Sequence, residues 1–489
     1  MQGAQKEDVL QEVVSLSEFA KLKSENAYLK HQLAELKRLI YGAKSERFIL
    51  DSKDQLHLFD QQPTEQDPKT EQITYERNKA KKENPPVRTA LPAHLPRVEE
   101  IIEPENLSDN AKKIGEEITE ILEYNPANIF VRRIVRPKYA QENSITIAEL
   151  PSLPLPKSNA GASMLAYIAV SKFVDHLPFY RQRQIFKRQK LEISDSTLGG
   201  WFNAASKLIV PLYEQLTQKV LNGNYLQMDE SPIGVQDAHK PGALHTGYHW
   251  VIHNPIERLV LFKYAKSRSG VTPQTILTEH NFKGTLQTDG YAVYQALSND
   301  ITLLGCLAHG RRYFEKALQN DSKRARYALE QIQLLYKIER KAKEREISNA
   351  ALKRYRQLYA KPILQHLKKW MEQQATEVLP KSLMAKAITY NLHLWSNISR
   401  YVEDGSYHID NNLIENTIRP LALGRKNYMF AGSHGAAQNA AMFYSFFATC
   451  KVNNIEPMAW LTDVLNRINE TKITELDQLL PTSNWKQMS

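Results

Sequence analysis

Three acidic residues stand in short motifs where a carboxylate could carry out chemistry. Asp229 ends a strand-like stretch in YLQMDESP, Asp289 ends another in GTLQTDGY, and Glu415 lies in the helical stretch HIDNNLIENTIRP. If the two strands are neighbours, both aspartates project from the same edge of one sheet. A capping or loop role is the alternative for each acid taken alone, and the residue pattern by itself leaves both interpretations open.

The segment around Glu415 predicts a short helix. Asp410 is placed to cap its first turn, and Pro420 is expected to limit its length. Asn411, Glu415 and Arg419 are spaced at i, i+4 and i+8, so they are expected on one side of that helix.

Clustered carboxylates would repel one another unless cations neutralise them. Oxygen ligands without clustered Cys or His favour Mg²⁺ or Mn²⁺ over zinc. Two such ions about 3.5 to 4 Å apart could activate an attacking oxygen and stabilise the leaving oxygen at phosphorus. The three acids therefore predict phosphodiester chemistry with two divalent ions and without zinc.

The charge balance favours a polyanionic partner. The 489 residues contain 64 Lys plus Arg and 54 Asp plus Glu, a formal net charge of +10. Residues 311–372 hold 17 basic and 7 acidic residues, an excess equal to the net charge of the whole chain. A solvated helical face is the alternative, but interleaved charges would give that at a net charge near zero, so phosphate contact is favoured.

A second basic cluster lies in FYRQRQIFKRQKLEISDSTLGGWFNAAS, which predicts two helices around a short turn. Residues 194–197 supply N-cap candidates for the second helix. A helix-turn-helix would place the cations of this window on DNA phosphates, whereas an ordinary helical bundle would expose them to solvent. The five cations are Arg181, Arg183, Lys187, Arg188 and Lys190.

After Gly223 the pattern becomes mixed α/β. Thr272 is predicted to cap a helix with Pro273 at its first position. The order of three strands, helix, strand, helix and strand fits a mixed sheet covered by helices. The predicted strands span residues 225–228, 248–253, 259–264, 284–288 and 301–307.

Residues 19–40 carry the a/d repeat of a short coiled coil, which predicts a dimer, with Asn26 at an a position where a buried amide selects two strands. An amphipathic helix packed on its own chain is the alternative. Residues 51–96 have the composition of a linker. Residues 97–140 alternate as β-strands do, most clearly at 129–135. The predicted dimerisation residues are Leu22, Asn26, Leu29, Leu33 and Leu36.

Cysteine usage and hydropathy predict a cytoplasmic protein. Cys306 and Cys450 are the two cysteines of the chain, so a disulfide framework and a four-cysteine zinc site are excluded. The first residues lack an apolar signal core, and no stretch approaches 18 uncharged apolar residues. Neither export nor a membrane span is expected.

Several motifs resemble the transposases of the insertion-sequence 66 family, a branch of the DDE transposases. They include MDESP, KSRSG, LQTDGY, GCLAHGRRYF and the long stretch DNNLIENTIRPLALGRKNYMFAGSHGAAQNAAMFYSFFATCKVNNIEP. Upstream, LKRLIYGAKSERF, RPKYA and SKFVDHLPFYRQRQIF also look like family motifs. The resemblance therefore covers most of the chain.

This resemblance implies a ribonuclease H-like core in which Asp229, Asp289 and Glu415 are the catalytic, metal-binding acids, while Glu230 points to the other face of its strand. It implies a transposase that cuts element ends and joins the 3′-hydroxyl to target DNA. Its expected partners are double-stranded DNA, a second copy of the chain and accessory transposition proteins, at the nucleoid. The expected DNA-binding residues are Arg181, Arg183, Lys187, Arg188, Lys190, Arg311, Arg312, Arg419, Arg425 and Lys426.

The expected architecture is a multidomain α/β protein with a ribonuclease H-like mixed sheet and a large helical insertion. Its predicted parts are a coiled-coil dimerisation helix (1–48), a disordered linker (49–96), a small β-rich module (97–158), a helical, helix-turn-helix-like DNA-binding region (159–222), the first part of the catalytic core (223–309), a basic helical insertion (310–400) and the C-terminal part of the core with the last acid (401–480).

The chain departs from the family pattern at one point. Family members usually carry a cysteine-rich, zinc-finger-like module before RPKYA, whereas residues 97–158 contain no Cys, so zinc is not expected. Cys306 and His309 form a C-x2-H unit of the kind seen after the second Asp in some relatives. A buried strand end followed by a polar helix start is the alternative.

Other functions stay open on the sequence alone. One is a catalytically silent DNA-binding relic or regulator that occupies element ends. Another is a ribonuclease H-like nuclease that hydrolyses DNA but never joins it. A glycosidase with paired carboxylates would leave the basic insertion unexplained.

Overall fold

The computed structural model describes most of the chain after residue 90. The residues predicted to form the coiled coil, and the predicted linker up to residue 90, lie outside the described part. The described residues are 91–104, 112–125, 128–141, 144–156, 158–237, 242–297 and 299–487.

The first described elements form a four-stranded sheet, with strands β1 (Arg97–Ile101), β2 (Lys112–Asn125), β3 (Asn128–Gln141) and β4 (Ser144–Ile147). β2 pairs antiparallel with one edge of β3, and β1 and β4 occupy successive parts of its other edge. The strand-like alternation at residues 129–135 lies within β3, where Val131 and Ile134 are fully buried, so that strand prediction is confirmed.

Four helices follow: α1 (Ala162–Phe173), α2 (Phe179–Arg188), α3 (Asp195–Leu208) and α4 (Val210–Leu221). α2 and α3 are the two helices that the basic window predicts. The Ser194 hydroxyl accepts a hydrogen bond from the Thr197 backbone N–H at 3.1 Å, which satisfies one of the free donors of the first turn. The predicted N-cap is therefore confirmed.

The central sheet begins with β5 (Tyr225–Gln236), β6 (Leu244–Asn254) and β7 (Leu259–Ala265) and continues through helix α5 (Val271–Glu279) to β8 (Thr285–Gln287) and β9 (Thr302–Leu304). The strand order is β7-β6-β5-β8-β9, in which the first three strands are antiparallel and β8 and β9 run parallel to β5. All five predicted strands are present, in a mixed sheet as predicted.

Several boundaries in this region were wrong. β6 begins at Leu244, before the predicted residue 248, and β9 ends at Leu304, before the predicted residue 307. β5 runs on to Gln236, so Asp229 lies inside the strand rather than at its end. Helix α5 begins at Val271 with Gly270 as its N-cap, because the chain already turns where the Thr272 backbone N–H bonds the Ser269 carbonyl. Pro273 still falls in the first turn, where a missing N–H costs no helical hydrogen bond.

A helical insertion lies between β9 and the segment that carries Glu415. It contains α6 (Leu307–Ala317), α7 (Ser322–Glu344), α8 (Asn349–Gln374), α9 (Leu383–His393) and α10 (Trp395–Ser399). Its helices share a hydrophobic core that includes Phe314, Ile332, Leu367 and Trp395. The predicted basic run is therefore helical, and it has a core of its own.

The chain ends with α11 (Asn412–Tyr428), the short strand β10 (Phe430–Ala431), α12 (His434–Asn453) and α13 (Pro457–Arg467). α12 covers the free edge of β7: the Ser445 and Thr449 hydroxyls accept hydrogen bonds from the backbone N–H groups of Phe262 and Val260. Covering an edge in this way satisfies backbone donors that would otherwise be open to another strand.

A buried arginine joins the insertion to the segment that leads into α11. The Arg356 side chain is 2% exposed, forms a bidentate pair with Glu339 at 2.9 and 2.7 Å, and donates to the Tyr401 and Asp404 carbonyls. Arg356→Ala is expected to destabilise the protein by about 3 to 5 kcal/mol, because it leaves the partly buried Glu339 carboxylate and two backbone carbonyls without their donor. Chemical denaturation followed by circular dichroism measures the change.

Arg354 provides the matched control for this prediction. It lies on the same helix, two residues earlier, and is exposed. Arg354→Ala is expected to change the free energy of unfolding by about 0.5 kcal/mol or less. Equal effects of the two substitutions would contradict a joining role for Arg356.

Candidate active site

The two aspartates follow a pair of neighbouring glutamines. β5 and β8 are paired so that Gln227 lies beside Gln287, and each aspartate follows its glutamine by two residues. Asp229 lies within β5, whereas Asp289 lies just past the end of β8.

Asp229 lies beside an opening in the sheet. β8 pairs with residues 225–227 of β5, and β10 pairs with Gly234 and Val235 along the same side. Residues 228–233 fall between these two ladders. The carboxyl of Asp229 is half-buried there, and its Oδ1 accepts a hydrogen bond from the Glu230 backbone N–H at 2.8 Å.

Asp289 is held by a tight turn directly after β8. Its Oδ1 accepts a hydrogen bond from the Tyr291 backbone N–H at 3.0 Å. A Cβ atom at Gly290 would lie 2.5 Å from the Leu394 side chain and 2.7 Å from the Tyr390 hydroxyl, so a larger residue would displace these side chains of the helical insertion. The D-G-Y motif is thus explained by local packing.

Glu415 lies in the first turn of α11 and faces the start of α6. Its Oε1 accepts a hydrogen bond from Arg312 Nη2 at 3.2 Å and lies 3.7 Å from His309 Nε2. Both partners come from the GCLAHGRRYF motif on α6. The carboxylate is therefore oriented by a cation and a histidine of the insertion.

The pKa of Asp229 is shifted by burial and by several neighbouring acids. Burial raises the pKa of Asp229 from its usual 3.8 to about 8, and the neighbouring charges of Glu230, Asp289 and Glu415 raise it further in the same direction. The hydrogen bond from the Glu230 N–H lowers it and offsets a part of this effect. A carboxyl surrounded by other carboxylates keeps its proton more easily than an isolated one.

The helix that carries Glu415 is longer than predicted. α11 continues past Pro420 to Tyr428, because Ile414 and Leu421 on either side of the proline are fully buried and hold the helix in place. Asn411 is the N-cap residue, without a side-chain cap, while Asp410 accepts a hydrogen bond from the Asn412 backbone N–H at 3.1 Å.

Solvent exposure increases along the predicted row of Asn411, Glu415 and Arg419. Asn411 is fully buried, the Glu415 side chain is 23% exposed, and Arg419 is exposed. Only the first two therefore lie within the protein at the site, and Arg419 lies at its outer rim.

Glu230 faces the other side of the strand, as the family resemblance implies. Its carboxylate accepts hydrogen bonds from Arg268 Nε at 2.8 Å and from the Tyr294 hydroxyl at 3.0 Å. Arg268 lies 4.1 Å from the centre of the Tyr291 ring. Glu230 and the KSRSG motif thus anchor the turn that follows Asp289.

The C-x2-H unit separates into two roles. Cys306 is buried, its pKa is raised to about 12 mainly by burial, and its sulfur accepts a hydrogen bond from the Asn411 backbone N–H at 3.4 Å. His309 instead faces Glu415. The cysteine therefore holds the start of α11 and the histidine lies in the site.

Comparison with known proteins identifies the family of this chain. A sequence model described as "Transposase IS66 family" matches residues 157–439, and the "IS66 C-terminal element" matches residues 445–482. The chain belongs to the IS66 family of transposases. A model described as "Transposase C of IS166 homeodomain" matches residues 28–99, which include Leu29, Leu33 and Leu36 of the predicted coiled coil.

Full-length relatives of this family member occur in Sinorhizobium fredii. The chain is 32% identical to the uncharacterized protein y4jD over 94% of both chains. It is 30% identical to the uncharacterized protein y4qI, over 92% of this chain and 87% of that protein. The family relationship thus extends along nearly the whole chain.

The predicted cations near Glu415 differ in their surroundings. Arg425 Nη1 donates to the Ser231 hydroxyl at 3.0 Å and to the Pro232 carbonyl at 2.6 Å, which ties α11 to the open side of β5. Lys426 is exposed. Arg311 pairs with Glu315 at 2.7 Å along its own helix.

The cations of α2 reach the same helix. Arg181 Nη1 donates to the Asn427 side chain at 2.9 Å, so α2 contacts the end of α11. Arg183 pairs with Asp195 of the following helix at 2.6 Å. Lys187, Arg188 and Lys190 are exposed.

Two glutamines were missed by the sequence analysis. Gln227 and Gln287 are fully buried and hydrogen-bonded to each other beneath the aspartates. The repeated triplets Q-M-D and Q-T-D were a signal that could have found them.

The DDE transposase family generally uses divalent metal ions. Over the described ranges, no group of three or more His, Cys, Asp or Glu side chains is gathered closely enough to hold an ion. The donors nevertheless suit a hard divalent cation, because they are carboxylate oxygens whose mutual repulsion already raises the pKa of Asp229. Glu415 is turned towards Arg312 in this arrangement.

No helix within the described part of the chain is long and apolar enough to cross a bilayer.

Proposed function

We propose that this chain cuts insertion-element DNA at its ends and joins the freed 3′-hydroxyl to a target phosphodiester. The observation that carries the proposal is the electrostatic coupling of Asp229 with Asp289 and Glu415, which are remote along the chain. Carboxylates that repel one another lower the stability of the folded protein, so such a cluster is expected where a function needs the acids together. Membership of the IS66 family supports the same conclusion.

A ribonuclease H-like core is part of this proposal. The order of the five central strands, numbered along the chain, is 3-2-1-4-5, with three antiparallel strands followed by two parallel ones. This arrangement supports the assignment because it sets the first and fourth strands side by side. The domain boundaries predicted from the sequence, including a helical insertion at residues 310–400, belong to the same proposal.

Asp229, Asp289 and Glu415 are assigned as the acids that hold divalent metal, Mg²⁺ or Mn²⁺. When bound there, a pair of such ions supplies an activated attacking oxygen and stabilises the leaving oxygen of an in-line displacement. Asp229 lies on β5, and Asp289 lies in the hydrogen-bonded turn directly after the paired strand β8, so the pairing of these strands and that turn set the relative position of the two acids.

Arg312 and His309 are assigned to the positioning of Glu415. Their contacts at 3.2 and 3.7 Å hold the carboxylate at the start of α6. A DNA phosphate entering the site competes with Glu415 for Arg312, since a guanidinium binds either anion. Glu415 is then released to turn towards the aspartates.

DNA is assigned to the basic surface around α11. Arg419, Arg425 and Lys426 lie on that helix, and Arg181 connects it with the other cations of α2. Exposed cations of the insertion, such as Lys337 on α7 and Lys353 on α8, extend the positive charge. Phosphate contacts of this kind give an affinity that falls steeply as salt increases.

Dimerisation through residues 19–40 is assigned to bringing two element ends together. A two-stranded coiled coil, as the a/d repeat predicts, would place two copies of the chain side by side. Each copy would then hold one end.

The proposal is tested by a strand-transfer reaction. The full-length protein is incubated with Mg²⁺, a labelled duplex carrying the inverted repeats that flank its own gene, and a supercoiled plasmid. We expect labelled 3′ ends joined to the plasmid. Cutting without joining would instead identify a nuclease, and binding without cutting would identify a DNA-binding regulator, so either result would overturn the proposal.

A further inference from the structure

Two buried glutamines lie directly beneath the proposed catalytic aspartates. Gln227 lies on β5, two residues before Asp229. Gln287 is the last residue of β8, and Asp289 follows it by two residues. Both side chains are fully buried, so neither can touch DNA or solvent. The Gln227 Nε2 donates to Gln287 Oε1 at 2.8 Å. We call this pair the glutamine clasp.

The clasp also holds the segment that leads into α11. Gln287 Nε2 donates to the His408 carbonyl at 2.8 Å and to the Gly305 carbonyl at 3.1 Å. Gln227 Nε2 lies 3.3 Å from the Asp410 carbonyl. These carbonyls belong to the junction of β9 with α6 and to the residues directly before the helix of Glu415.

A tyrosine closes the network. The Tyr225 hydroxyl donates to Gln287 Oε1 at 2.5 Å and accepts a hydrogen bond from the His408 backbone N–H at 3.1 Å. β5, β8 and the segment before α11 are thereby joined at one point. β5 contains Asp229, β8 is followed by Asp289, and the segment before α11 leads into the helix of Glu415.

Stability alone does not account for amides at these positions. A buried side-chain amide is costly where it lacks a hydrogen-bond partner, and replacing two hydrogen-bonded partners by apolar side chains of the same shape can leave stability nearly unchanged. Gln227 Oε1 is buried and has no hydrogen-bond partner among the residues that the structure describes, so its amide is incompletely satisfied there. The clasp is therefore better explained by the geometry that it imposes than by stabilisation.

We propose that Gln227 and Gln287 are positioning residues that fix Asp229, Asp289 and the start of the Glu415 helix relative to one another. The inference rests on the proposed function, because it takes these acids as the metal-binding site. The clasp acts through the backbone on the acids, and it contacts neither substrate nor metal. Its loss should therefore weaken the site more than the fold.

The test uses Gln287→Met, which keeps the length of the side chain and removes its hydrogen bonds. Mn²⁺ is the probe, and its binding to the full-length protein is measured by calorimetry, with thermal unfolding recorded in EDTA. We expect about 10- to 100-fold weaker Mn²⁺ binding, as for the loss of outer hydrogen-bonding groups at other metal sites. In strand transfer, kcat should fall while the KM for DNA is unchanged.

Gln182→Met provides the matched control. Gln182 is equally buried, and its Nε2 donates to two backbone carbonyls, Ile168 at 3.1 Å and Leu177 at 2.9 Å, in the helical region away from the acids. The control should lower the unfolding temperature by a similar amount and leave Mn²⁺ affinity unchanged. If Gln287→Met does not fold, Gln227→Met replaces it, since Gln227 makes fewer bonds.

The possible outcomes separate this inference from the proposed function. If Asp289→Asn weakens Mn²⁺ binding while the clasp variants bind as tightly as the unsubstituted protein, the clasp has no positioning role and the inference is overturned. If the control loses Mn²⁺ affinity as well, the effect is general destabilisation and the inference is also overturned. If Asp289→Asn binds Mn²⁺ normally, the proposed function fails and the inference fails with it.

Discussion

Asp289→Asn is expected to abolish metal-dependent cleavage and joining of element ends while leaving DNA affinity unchanged. The amide keeps an oxygen for the hydrogen bond from the Tyr291 N–H, so the turn after β8 should stay folded. It removes the negative charge that a divalent ion needs. Metal-ion stabilisation of the transition state amounts to several kcal/mol, so a loss of about a thousandfold or more in strand-transfer rate is expected.

Glu230→Gln is the control for this result. Glu230 is also an acid beside the site, but it faces Arg268 and Tyr294 on the other side of β5. The amide keeps one oxygen as an acceptor, so a loss of about tenfold or less is expected. Strand-transfer rates and filter binding of the same DNA compare both variants with the unsubstituted protein. Full activity of Asp289→Asn would contradict the assignment of the three acids as metal ligands. Equal losses of strand-transfer rate in Asp289→Asn and Glu230→Gln would contradict the different roles given to Asp289 and Glu230.

The positions of the strands could be predicted because their apolar residues are buried on both faces. The residue at which β5 ends could not be predicted. Its second half, ESPIGVQ, contains polar residues and Pro232, which are typical of a loop. Pairing with β6 along its whole length and with β10 at Gly234 and Val235 extends the strand nevertheless. Pro232 lies between the ladders of β8 and β10, where its missing N–H removes no bond to either.

The length of α11 was unpredictable for a similar reason. Pro420 ends many helices because it lacks a backbone N–H. Here the exposed side of the helix leaves the Asn416 carbonyl near solvent, and burial of Ile414 and Leu421 outweighs the lost bond. Local rules therefore identified the acid but not the full helix that carries it.

The acids of the site could be predicted from the sequence, whereas the contacts that hold them could not. The acids could be chosen because motifs carry them, and neighbouring strands explain why Asp229 and Asp289 meet. The partners of Glu415 come from a helix about 100 residues earlier in the chain, and spacing gives no information about such a contact. The glutamine clasp depends on strand register, which is visible only once β5 and β8 are paired.

Asp229→Asn is expected to stabilise the metal-free protein at alkaline pH. The pKa of Asp229 is raised from 3.8 to about 8 in the folded protein, so between these values the folded state binds a proton that the unfolded state has lost. Stability therefore falls as pH rises from about 4 to 8, by at most about 1.4 kcal/mol per pH unit. Asparagine resembles the protonated carboxyl and lacks this slope.

Chemical denaturation in EDTA at pH values between 4 and 9 measures the effect. The unsubstituted protein and Asp229→Asn should have similar stability near pH 4, and the variant should be several kcal/mol more stable at pH 8 and above. Asp195→Asn, at an exposed position, controls for the removal of one negative charge from a protein of net charge +10. Parallel pH profiles for Asp229→Asn and the unsubstituted protein would contradict the raised pKa of Asp229, which burial and the neighbouring acids produce together.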